Sequence, residues 1–122
     1  MPYKYLNKNK YKRHINDCTI RAISLATNKS WNDTYKELAD AARRRGMMMD
    51  SKVFIEEYLD RKFDRTCHYS KTVGEFMKEF PYGTYLISMP NHLTVVINGV
   101  NYDTFDTTKR KMWCAWCVTS SR

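Results

Sequence analysis

Apolar positions follow two different rhythms along this chain. Up to about residue 80 they recur at helical spacing, and beyond it they gather in short runs rich in β-branched and aromatic residues. Residues 1–15 are polar, tyrosine-rich and without period, which predicts an extended or irregular arm. A helix is expected to start near Cys18, with Asn16 or Asp17 as its cap. It sets Ala22, Ile23 and Ala26 on one face and closes at Asn28-Lys29. Ser30-Trp31-Asn32-Asp33 has the form of a capping box with Asp in place of Glu. Trp31, Tyr35, Leu38 and Ala42 then share a face, and Gly46 is the stop. A third helix runs from Ser51 to about Lys62, over Phe54, Ile55, Tyr58 and Leu59. Thr72-Val73-Gly74-Glu75 opens a fourth through Phe76, Met77 and Phe80, ended by Pro81 and Gly83.

Four runs then read as strands: Thr84 to Met89, His92 to Ile97, Val100 to Phe105 and Met112 to Val118. Asn98-Gly99 lies between two of them, and such a dipeptide is the strongest short hairpin signal. Helices first and an antiparallel sheet after them predict an α+β fold. With 122 residues, no internal repeat and no linker, the chain reads as a single domain over 1–122.

Composition narrows the class. Hydrophobic residues make up 43% and aromatics 14%, which suits a packed globule rather than a disordered segment. No apolar run approaches the roughly 20 residues that span a bilayer. The start, MPYKYLNKNKYKR, is basic but leads into no apolar stretch or small-residue cleavage site, so it does not read as a secretory signal. The expectation is a cytoplasmic, soluble protein without membrane partners.

The net charge is +8, concentrated at Lys4 to Arg13, Arg43 to Arg45 and Lys109 to Lys111. Such patches neutralise phosphates, and Tyr3, Tyr5 and Tyr11 are placed to stack on bases. No sequence-reading motif accompanies them, so solvated surface is the plainer account and nucleic acid the lesser one.

Cysteines stand at 18, 67, 114 and 117. In a cytosolic chain structural disulfides are not expected, so each is read singly. Cys114-Ala115-Trp116-Cys117 spells a redox CxxC, but a working one opens a helix, and this one falls in a strand. Residues three apart on a strand face opposite sides. A zinc site joining these with Cys67 and His68 lacks a second closely spaced ligand pair. No metal and no cofactor are expected, and Trp113, Cys114, Trp116 and Cys117 read as packing.

Cys18 is different because it opens a helix. The positive end of the helix dipole lowers a thiol's pKa, and the backbone N–H groups of a first turn are available to a developing oxyanion. Asn16 offers a side-chain amide to the same task. The competing account makes Cys18 a small buried hydrophobe. His14 and His68 are rival bases without an acid partner in view. Arg21, one turn beyond Cys18, would bind an acidic substrate group or, more simply, brace the helix in a salt bridge. Met47 to Met49 would line a pocket or fill a partly buried loop.

The hairpin tips the balance. If Asn98-Gly99 is a two-residue turn, Ile97 pairs with Val100, Thr94 with Asp103 and His92 with Phe105. A side-chain period of two then puts His92 and Asp103 on one face as diagonal neighbours. A carboxylate so placed orients an imidazole and stabilises its protonated form. Asp106 falls on the other face, and a one-residue bulge would exchange the two acids, leaving Asp106 in reserve.

A cysteine opening an N-terminal helix, a histidine at the start of a strand and an acid on the next strand resemble the order in papain-like cysteine peptidases. NDCTIRA with GTYLISMPNHLTVVINGVNYDTFD is similar to small phage and bacterial proteins of that superfamily. Those share DCxxRA and H…NG…YDT segments and are related in plan to peptidases that trim bacteriocin leaders. The resemblance runs from Asn16 to about Asp106. It implies a papain-like fold with N-terminal helices packed on a C-terminal antiparallel sheet. It implies Cys18 as nucleophile, His92 as base and Asp103 as orienting acid. Papain-like enzymes usually carry a glutamine several residues before the cysteine. Here that stretch reads Tyr11-Lys12-Arg13-His14, and Asn16 stands in as oxyanion donor. The expectation is a thiol hydrolase acting on a peptide, isopeptide or other amide bond of a peptide or protein substrate. The alternative is an inactive papain-like scaffold, phage-encoded, that binds a host protein or nucleic acid.

Overall fold

The computed structural model describes residues 2–13 and 16–121. Within them the chain forms β1 (Tyr3–Tyr5), α1 (Cys18–Ala26), α2 (Trp31–Arg44), α3 (Lys52–Lys62) and β2 (Phe63–Cys67). There follow α4 (Val73–Glu79), β3 (Thr84–Met89), β4 (His92–Ile97), β5 (Val100–Asp103) and β6 (Cys114–Ser121). The fold is mixed α+β, its described strands joined in one six-stranded sheet of order β1-β5-β4-β3-β6-β2.

The helix starts follow their caps. Ser30 and Ser51 each accept a hydrogen bond from the backbone N–H three residues on, of Asp33 and Phe54 respectively. Thr72 and Glu75 complete a reciprocal capping box. At α1 the expectation needs correction: Asp17 is the N-cap residue, but its side chain makes no cap bond. Its carboxylate is drawn instead into a buried polar cluster described below.

The core has two halves, because neighbouring residues of the central strands point to opposite faces. Leu86, Leu93, Val95 and Trp116 meet Ile20 and Ile23 of α1, Leu38 of α2 and Phe54 and Leu59 of α3. Ile87, Met89, Val96 and Ala115 meet Val73, Phe76 and Met77 of α4. Leu38, Phe54, Leu59 and Trp116 are wholly buried. Tyr35, expected on the buried face of α2, is 45% exposed, and Thr34 and Ala41 take the inner positions. A sheet covered on both sides explains why its central strands read as unbroken apolar runs.

Several expectations are corrected here. The sheet is not wholly antiparallel: β1 runs parallel to β5, with Tyr3 opposite Asn101. The N-terminal arm therefore is not irregular throughout, since it supplies an edge strand. The other edge, β2, has a burial pattern too exposed to show an apolar signal, and it pairs antiparallel with β6. Helix α4 lies on the sheet face opposite α1 to α3, so the helices do not form one layer. Cys67 and Cys114, directly opposed across β2 and β6, are joined in a disulfide where none was expected. Cys117 faces the other way, in hydrogen-bonding contact with Tyr85.

The β4–β5 hairpin turns on Asn98 (φ 48°) and Gly99 (φ 74°), both left-handed as a type I′ turn requires. Ile97 pairs with Val100 and Val95 with Tyr102. The preceding hairpin turns on Pro90-Asn91, Asn91 having φ 57°, and delivers His92 as the first residue of β4 opposite Met89. None of the described helices is long and apolar enough to cross a membrane.

Candidate functional site

Cys18 is the first residue of α1. The first bond of the helical ladder runs from the Arg21 N–H to the Asp17 carbonyl, so the Cys18 N–H lies in the open first turn. Helix α1 packs on the face that carries Leu93 and Val95, which brings the Cys18 thiol to the start of β4. There the His92 ring, the Leu93 N–H and the Thr19 hydroxyl lie close enough to the sulfur to lower its pKa.

His92 makes its second bond to Asp103, with Nε2 2.6 Å from Oδ2. The remaining ring nitrogen, Nδ1, is left for the sulfur. Asp103 Oδ2 also accepts from the Thr94 hydroxyl at 2.6 Å, and Oδ1 accepts from the Thr104 N–H at 2.7 Å. Thr94 Oγ1 in turn accepts from Asn101 Nδ2 at 2.9 Å. Asn101 Oδ1 accepts from the Thr107 hydroxyl at 2.9 Å. Phe105 packs its ring 4.8 Å from that of His92, and Arg110 lies over the Phe105 ring at 4.9 Å. The His92 and Asp103 side chains are only 8% and 4% exposed, so their bond is made largely out of water.

These contacts set the protonation states. Burial alone would raise the Cys18 pKa, but the His92 hydrogen bond, the Leu93 N–H, the His92 charge and the Thr19 hydroxyl hold it below the ordinary thiol value. Burial alone would likewise suppress the His92 cation. The bonds to Asp103 and Cys18 outweigh it and raise His92 to about 9. Burial works to raise Asp103, yet its bonds from His92 and Thr94, the His92 charge and the Thr104 N–H keep it low. The arrangement favours a thiolate–imidazolium pair backed by a carboxylate, and a thiolate is the nucleophilic form of cysteine.

Cys18 and His92 border a cleft of about 280 Å³, whose lining includes Asn16, Thr19, Ile55, Lys52, Trp113 and Trp116. Wholly buried Trp116 is fixed by its indole N–H, which donates to Asp60 at 2.8 Å. Lys52 lies 4.8 Å over the Trp113 ring and 3.5 Å from Glu56. Asn16 is exposed and lines the same cleft as Cys18.

The other sequence candidates lie elsewhere. Asp106 does not reach His92; its Oδ1 accepts the Thr108 hydroxyl at 2.7 Å and the Thr108 N–H at 2.9 Å, closing a turn. His68 bonds Thr66 and sits edge-on to Phe76 and Phe80. His14 falls outside the described residues. Met47 and Met49 pack against the core, whereas Met48 is 72% exposed. Among the described residues no group of three or more His, Cys, Asp or Glu could hold a metal ion.

Sequence reasoning missed part of the site although signals were present. Thr94 shares a face with His92 by strand period. Arg21 does brace the helix in a salt bridge, as its plainer reading has it, pairing with Asp17 at 2.8 Å; its reach to Asp103 is what went unread. Asn9, buried and 3.0 Å from Asp17, left no such signal, because an irregular arm has no period. Comparison with protein-family models, curated proteins and solved structures returned no match.

Proposed function

We propose that the chain is a papain-like thiol hydrolase that cleaves a peptide, isopeptide or other amide bond. The reading is carried by one observation: His92, bonded to Asp103, acts on the Cys18 thiol at the edge of an open cleft. Cys18 thiolate attacks the carbonyl carbon, and the oxyanion that forms meets the Cys18 N–H and the Asn16 amide. The C–N bond breaks as the His92 imidazolium gives its proton to the leaving amine, and a thioester remains. Water then attacks that carbonyl while His92 takes its proton, and release of the acid regenerates the Cys18–His92 pair. Asp103 keeps Nδ1 of His92 aimed at the sulfur throughout. The modest cleft suits a narrow substrate, such as a single exposed segment of a folded protein, or completion by a partner.

The test begins with the thiol. Iodoacetamide is expected to label Cys18 near neutral pH well ahead of Cys117, with His92→Ala slowing the reaction and a Cys18→Ala chain left unlabelled at that site. Equal reactivity of Cys18 and Cys117 would sink the proposal. Quenched fluorescent peptide and isopeptide libraries, with Cys18→Ala as blank, then define the bond.

A second reading, an inactive scaffold that binds nucleic acid, is favoured by the arm alone. Tyr5 and Tyr11 are 56% and 67% exposed among Lys4, Lys8, Lys10 and Lys12. Binding to single-stranded RNA that persists above about 0.2 M salt, together with an unreactive Cys18, would favour it; loss of binding by that point marks nonspecific charge.

A further inference from the structure

Helix α1 and the sheet are joined by more than apolar packing. Asp17, 5% exposed, accepts from Asn9 Nδ2 at 3.0 Å, from the Trp31 indole N–H at 2.9 Å and from Arg21 Nε at 2.8 Å. The same guanidinium, through Nη1, donates to Asp103 Oδ1 at 3.3 Å and to the Thr104 hydroxyl at 3.0 Å. The two carboxylates are almost wholly buried, and the Arg21 side chain between them is 12% exposed. One planar cation therefore spans from the residue before the nucleophile to the acid behind the base.

The division of labour at Asp103 is informative. Its Oδ2 serves His92 and Thr94, while its Oδ1 is held by Arg21 and the Thr104 N–H. A carboxylate gripped at one oxygen has its plane fixed, so the other oxygen is presented in a single direction. We infer that Arg21 is a positioning residue: anchored on Asp17, it holds the Asp103 carboxylate in the orientation that bonds His92 and ties that orientation to the helix carrying Cys18. This rests on the reading of Cys18, His92 and Asp103 as a triad. Lysine cannot replace it, because an ammonium lacks the rigid fork that reaches both acids at once.

The role is separable from that of a simple counter-charge by sign. A nearby cation disfavours protonated His92 through space, so deleting it would raise the His92 pKa if Asp103 stayed in place. Releasing Asp103 from its orientation acts oppositely, because His92 loses the hydrogen bond that sustains its cation.

The experiment is an NMR titration of the His92 ring in the full chain, assigned with His92→Gln and with folding checked by circular dichroism. In the wild type the midpoint is expected at about 9. In Arg21→Ala it is expected to fall towards the ordinary histidine value of roughly 6.5. Arg21→Lys is expected to fall likewise, although its charge is kept. A midpoint in Arg21→Ala that stays or rises overturns the inference. If Arg21→Ala does not fold, Arg21→Lys decides: a fall supports the positioning role and an unchanged midpoint overturns it. A wild-type midpoint in the ordinary range, with Cys18 no more reactive than Cys117, would instead sink the triad itself. A high wild-type midpoint untouched by either variant removes only the role of Arg21.

Discussion

His92 and Asp103, 11 positions apart in sequence, meet Nε2 to Oδ2 at 2.6 Å across a hairpin whose turn is Asn98-Gly99. The contact is diagonal, between the first residue of one strand and the last of the next. It therefore depends on register, and a slip of one residue would turn Asp103 to the opposite face.

Replacing Asp103 by Asn keeps the shape of that contact and removes its charge. The His92 pKa is expected to drop from about 9, and the hydrolytic rate to fall by about 10²-fold, within the range spanned by acid–base groups. Ring titration and turnover of the best library substrate measure the two effects. An unchanged rate would remove Asp103 from the mechanism.

The pH dependence follows from the signs. The Cys18 pKa lies below the ordinary thiol value, so its thiolate accumulates at lower pH than that of a free cysteine. The His92 pKa is raised to about 9, so the proton needed by the leaving amine persists until about that pH. Hydrolysis is expected to rise through the first transition and decline through the second. Alkylation by iodoacetamide needs no proton donor and is expected to rise without the alkaline decline. Parallel profiles for the two reactions would argue against His92 as general acid.

The Cys67–Cys114 disulfide closes a loop over a sequence separation of 47. Chain-entropy reasoning gives its loss a cost of about 4 kcal/mol. Thermal melts with and without dithiothreitol are expected to differ by roughly 10–20 °C, and Cys67→Ser to melt low in both. Identical wild-type curves would show that the bond carries no stability.

Glu37 provides an acid-side test. Burial opposes its charge, but Lys29, the Tyr58 hydroxyl and Lys62 hold its pKa at about 2. A depressed folded pKa contributes stability above the unfolded value of roughly 4.3, and the contribution is lost as pH falls towards about 2. Glu37→Gln is expected to flatten the acid limb of stability, measured by urea denaturation across that window.

Much of this was legible in the residues because each rule acts locally. Ser30 and Thr72 opened helices where their spacing to Asp33 and Glu75 indicated, and Asn98-Gly99 set the β4–β5 register. The errors came where partners are distant. Residues 3–5 look like tail until Asn101 to Asp103 offer them an edge. Residues 63–67 have no apolar alternation because only Phe63 turns inward. Cys67 and Cys114 are matched by the pairing of two strands 47 residues apart, which no spacing rule reports. At Asp17 position alone points to a cap, but Trp31 and Asn9 bond its Oδ2 and Arg21 its Oδ1.

Strand β1 has a consequence for how the chain comes together. Tyr3 waits for Asn101, so the first strand cannot be placed until β5 is available. Closing so long a loop is entropically slow, and it comes after the local helices and hairpins have formed. Cys18 emerges well before His92 and Asp103, which lie 74 and 85 residues further on. Until β4 is in place Cys18 lacks the His92 and Leu93 contacts that lower its pKa. The lowered Cys18 pKa therefore belongs to the assembled fold, because His92 and Leu93, which help to lower it, lie on β4.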